Sequence, residues 1–134
     1  MIQPLFVFSD WGLLFLRMAL AVILIAHGWA KFKGFKGVAD WMGSIGFKPG
    51  VFWAGLVTAL EFFGGILLLL GFFTQILSVL IAVQFLVIIL KVNRGKGLVG
   101  GFEFDLVILG AAFALATLGG GAWSLDQFFG LILY

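Results

Sequence analysis

GVFWAGLVTALEFFGGILLLLGFFTQILSVLIAVQFLVIILK, residues 50–91, decides the fold. As one helix it would be about 63 Å long, twice the hydrocarbon thickness of a bilayer. The uncharged GFFTQ of Gly71–Gln75 breaks it into two runs, each near the ~20 residues that a crossing requires. The spacing therefore predicts membrane helices over about 50–70 and 75–91. Glu61 stands within the first and Gln84 within the second. Pro49 suits a helix start, where a missing N–H costs nothing.

Upstream, a third apolar run predicts a span over 12–30, with Trp11 and Trp29 at its ends, where amphipathic rings favour the interface. Ser9 and Asp10 are its expected caps. Between the spans, KFKGFKGVADWMGSIGFK at 31–48 predicts a short amphipathic turn over Val38–Met42, lying on the membrane surface and anchored by Trp41 and Phe47. Downstream, VNRGKGLVGGF at 92–102 is a flexible basic loop, and a fourth span covers 102–118. Glu103 and Asp105 match the dipole at its start. Gly119–Gly121 then breaks the chain. Ser124 and Gln127 have capping-box spacing, and Trp123 and Phe128 staple spacing, for a short interfacial helix over 125–133. The expected fold is all-α, an integral membrane four-helix bundle with a short C-terminal interfacial helix, forming one domain over 1–134.

Composition supports this. The chain is 63% hydrophobic and 10% charged, with a mean hydropathy of +1.25. Soluble domains carry roughly 25% charged residues, and a chain this short has too little interior to hide so much apolar surface. The net charge of +2 makes no case for nucleic acid. With no cysteine, the chain cannot supply a disulfide, an iron–sulfur cluster or a covalent haem link. The N-terminus lacks the basic n-region of a cleaved signal peptide. Lys31, Lys33, Lys36 and Lys48 lie in one loop and Lys91, Arg94 and Lys96 in another. The positive-inside rule puts both loops in the cytoplasm and both termini outside.

Charges within apolar spans are costly, so Arg17 and Glu61 are the first candidates for a role. Counted from the outer ends, they lie about 9 and 15 Å deep, within an Arg side chain's reach. The expectation is a direct or water-bridged pair, which would either fix the bundle or, with Gln84, line a polar pocket. Gly28, Gly64, Gly65 and Gly110 are expected to let helix backbones approach closely. His27, Lys31, Glu103 and Asp105 form an expected inner-side cluster, suited to interhelical ion pairs, a proton relay or an anionic headgroup. A lone histidine argues against a metal site.

Several of these residues carry a family resemblance. Arg17, the HGWAKF of His27–Phe32, Glu61 with the FFGGILLLLGFFTQ that follows it, Phe102–Glu103 and the GGGAWSLD of Gly119–Asp126 occur in an order that resembles the DoxX family. That family includes the small membrane subunit of thiosulfate:quinone oxidoreductase. The resemblance implies a four-helix bacterial inner-membrane protein linked to redox or stress-related complexes. It leaves three roles open. One is a non-catalytic membrane partner or scaffold, docking a second subunit, further copies of itself or anionic lipid. Another is a quinone-interacting subunit acting on thiosulfate or a small thiol. The third is a small-solute or proton pathway. Quinone is the only cofactor implied, and the bilayer is the first partner.

Overall fold

The computed structural model describes residues 3–132. Its regular structure is helical, and four stretches are long and apolar enough to cross a bilayer: Phe6–Lys33, Gly50–Leu70, Thr74–Val92 and Leu98–Leu118. Helix α1 covers Ser9–Lys33, longer than the expected 12–30 at both ends. Its last turn carries Lys31 and Lys33, cations that suit a helix C-terminus. Ser9 and Asp10 do not cap it. Ser9 is already helical, and the Asp10 Oδ1 instead accepts from the Ala122 N–H at 3.0 Å.

Where a short turn is expected, the chain forms α2, Phe35–Ser44. Its ten residues span about 15 Å, too short to cross. Ala39 and Met42 pack it against Ala54 on α3, Gly50–Leu70. Gly71, at φ +72°, ends α3 and donates to the Leu68 carbonyl, while Phe72 N–H reaches Leu67 O at 2.9 Å. This left-handed cap satisfies carbonyls that the hydrocarbon would leave bare.

Helix α4, Thr74–Val87, continues through a wide turn over Ile88–Val92. Helix α5, Glu103–Leu118, follows a wide turn over Leu98–Phe102 that is broken at Val99 and Gly100. Helix α6 is Leu125–Phe129, shorter than the expected 125–133 because Gly130, at φ +68°, stops it. Leu133 lies outside the described residues. Ser124 accepts from Gln127 N–H and caps α6. The expected Trp123–Phe128 staple does not form: Trp123 meets the Trp11 ring, and Phe128 meets Phe129.

Helix α1 packs antiparallel on α3, and α4 on α5. One end of the bundle holds the basic loops (the basic end); the other holds the 71–73 turn and α6 (the tail end). The core joins Leu20, Ala21 and Leu24 of α1 to Leu68 of α3, Ile81 of α4 and Ala112 of α5. Phe15, Phe63 and Val107 are 61–77% exposed, as lipid-facing residues should be. Association between helices in lipid rests on packing and hydrogen bonds. Gly28 and Gly65 let α1 and α3 approach closely: a Cβ on Gly28 would lie 2.5 Å from the Phe62 nitrogen, and one on Gly65 3.1 Å from the Ile25 nitrogen. Gly64 leaves ordinary contact distances to Leu60 and Leu77. Gly110 does not pack: a Cβ there meets nothing within 4 Å, because Ile108, Ala112 and Leu115 form the buried face of α5.

Candidate functional site

Glu61 and Arg17 do not meet. The reason is the direction in which helical side chains lean. Each Cα–Cβ bond tilts toward its own helix's N-terminus. On antiparallel helices the two side chains lean apart, so Arg17 reaches the tail end and Glu61 the basic end. Each anchors a separate polar site.

The first site lies toward the basic end. The Lys31 ammonium donates to both Glu61 oxygens at 2.5 Å, and Gln84 Nε2 donates to Oε1 at 2.6 Å. Helices α1, α3 and α4 are thus tied at one carboxylate. Glu61 is 1% exposed, whereas the Lys31 side chain is 27% exposed. The amide orientation of Gln84 follows from its neighbour, since an ionised carboxylate only accepts. That leaves Gln84 Oε1 buried without a partner, as is Thr58 Oγ1 one turn before Glu61.

The second site closes the tail end. Arg17 is 2% exposed, and its terminal nitrogens donate to the Gly120 carbonyl at 2.8 Å and the Trp123 carbonyl at 2.7 Å. Gly71 leaves room for it, because a Cβ there would collide with the guanidinium. Asp126, 4% exposed, accepts from Phe73 N–H and Thr74 N–H, both at 2.7 Å. A carboxylate from the tail thereby caps α4, whose own N-cap, Phe73, offers no oxygen. The Asp126 N–H returns a bond to Gly71 O at 2.9 Å. The trans cap was open to inference: GFFTQ starts a helix with no capping side chain before Thr74, so its amide donors had to find an acceptor elsewhere.

The expected inner-side cluster is dispersed. Exposed His27 lies against Phe104 with ring centroids 5.5 Å apart and the planes tilted by 34°, and Lys31 is held by Glu61. Glu103 accepts from Gly100 N–H at 3.0 Å, and Asp105 from Asn93 Nδ2 at 2.5 Å. The last two point differently because they are two residues apart on a helix, about 200° around its axis. Among the described residues no three His, Asp or Glu side chains gather as a metal site would require.

Residues 12–94 match the family described as DoxX. A Bacillus subtilis (strain 168) protein named "Putative oxidoreductase CatD" is 35% identical over 117 residues, covering 87% of this chain and 86% of that protein. The Escherichia coli (strain K12) inner membrane protein YqjF is 34% identical over 89% of this chain and 92% of its own. The inner membrane protein YphA of the same strain is 31% identical over 86% and 88%. No solved structure matches.

Proposed function

This chain belongs to the DoxX family, and from that premise we propose that it is a non-catalytic inner-membrane partner subunit of a redox complex. One observation carries this reading: the buried charges are taken up by the protein itself. Arg17 holds two carbonyls, Glu61 holds Lys31 and Gln84, and Asp126 holds the Phe73 and Thr74 amides at the start of α4. Charges bonded in this way tie helices together in lipid. The names of the relatives support the setting, an oxidoreductase in one case and the inner membrane in two. With no cysteine and one histidine, the chain leaves the redox centre to another subunit. Exposed Lys48 and Arg94 at the basic end offer that subunit a cationic face, cytoplasmic by the positive-inside rule.

The test is purification of the tagged chain from its own membranes in mild detergent. A redox subunit at fixed stoichiometry is the expected result. A chain that purifies alone, with unchanged membrane quinone-reductase rates in its deletion strain, sinks the proposal.

A second reading, a quinone-interacting subunit, draws on the two orphaned atoms beside Glu61. Thr58 Oγ can donate to a quinone carbonyl, and Gln84 Oε1 can accept from the hydroxyl of its reduced form. A bound quinone would supply the electron acceptor, while Lys31 and Gln84 hold the Glu61 carboxylate in place. Titration of the purified protein with native quinone decides this reading. Saturable binding weakened by Thr58→Val supports it, and absence of binding with an intact fold ends it.

A further inference from the structure

A cleft of about 360 Å³ opens at the basic end, between the end of α2 and the end of the third span. Trp41, Ile45 and Phe47 form one wall, and Lys91 and Lys96 stand on the other. None of its lining residues is acidic. Lys96 is held in place: its ammonium donates to Asn93 Oδ1 at 2.8 Å, and Asn93 Nδ2 donates to Asp105 at 2.5 Å. An ammonium has three donors, so Lys96 keeps two free. Lys91 makes no hydrogen bond or ion pair among the described residues. Trp41 is 47% exposed, and Lys91 lies in the last turn of its span, so the cleft sits at the level of the lipid headgroups.

The geometry points to a binding site for the phosphate of an anionic phospholipid. Lys91 and Lys96 contact the phosphate oxygens, and Trp41, Ile45 and Phe47 cover the glycerol and first methylenes. A soluble phosphate compound would engage the lysines but make no use of the apolar wall. The volume falls within the ~300–1,000 Å³ usual for a small-ligand site, large enough for one headgroup. A diffuse basic surface would instead attract lipid without a fixed stoichiometry. The site does not depend on the redox role proposed above.

Delipidated protein titrated with phosphatidylglycerol, phosphatidylcholine or glycerol 3-phosphate, and followed by native mass spectrometry, tests the site. The expected result is one saturable phosphatidylglycerol adduct, with phosphatidylcholine at least about tenfold weaker. Lys91→Gln and Lys96→Gln should each weaken it about fivefold, and the double variant roughly 25-fold. Lys36→Gln removes an exposed lysine of the same end that does not line the cleft, and should change binding less than about twofold. All these side chains are exposed, so the variants should keep the parent's far-UV spectrum. An equal loss in Lys36→Gln overturns the site in favour of diffuse attraction. Glycerol 3-phosphate binding as tightly as phosphatidylglycerol overturns the lipid in favour of a soluble phosphate compound.

Discussion

Removing Lys31 should cost more than removing its partner, and removing both should cost less than the two losses together. Lys31→Met leaves the Glu61 carboxylate, 1% exposed, with only the Gln84 amide. Stranding a buried charge typically costs about 3–5 kcal/mol. Glu61→Leu leaves Lys31 able to turn toward headgroups, since it is 27% exposed. The main loss is then the unpaired Gln84 Nε2, about 1–3 kcal/mol. In the double variant no charge is stranded, so its cost should fall near that of Glu61→Leu alone. The coupling should therefore be about 3–5 kcal/mol, the whole Lys31→Met loss and well outside the ~0.5 kcal/mol scatter of independent sites. The assay is reversible unfolding from mixed micelles by dodecyl sulfate, followed by tryptophan fluorescence and far-UV dichroism. Additive losses, or a Lys31→Met loss below about 1 kcal/mol, would falsify the tie. The double variant also separates the two functional readings. A structural tie predicts that it still purifies with its partner; a quinone site at Glu61 predicts lost quinone binding.

Asp126→Ala should destabilise the protein by about 3–5 kcal/mol, two charge-assisted bonds being lost. Hydrogen exchange at Phe73 and Thr74 should rise more than elsewhere in α4, and unchanged protection there would refute the trans cap. Gly28→Val should cost about 1–3 kcal/mol or more by driving α1 off the Phe62 backbone. Gly110→Ala should be neutral or stabilising by up to about 1 kcal/mol in the same unfolding assay, and equal losses at the two glycines would contradict the packing. The chain has no cysteine, so single cysteines report sidedness cleanly. In intact cells an impermeant maleimide should label Gln127→Cys and spare Lys36→Cys, and the reverse pattern would invert the orientation.

The depth count that joined Arg17 to Glu61 shows where one-dimensional reasoning stops. A charge in an apolar run needs a partner, and Arg17 and Glu61 each have one, though not each other. The partners were wrong because the count measured backbone depth, and side chains on antiparallel helices lean in opposite directions. Measured from the basic end, Lys31 is the cation that Glu61 leans toward. Gly110 failed for a related reason: a small residue signals close packing only if its face is buried, and α5 buries Ile108, Ala112 and Leu115 instead.

What the sequence determined by itself is the number of spans. The length of residues 50–91 against the thickness of a bilayer allowed one solution, and apolar length is a local property that needs no partner. What only the tertiary structure decided is which polar groups meet. Asp126 caps a helix 52 residues away, and Arg17 binds carbonyls more than 100 residues away. Such bonds leave no periodic trace in the chain, because they depend on how antiparallel helices and a short tail come together in space.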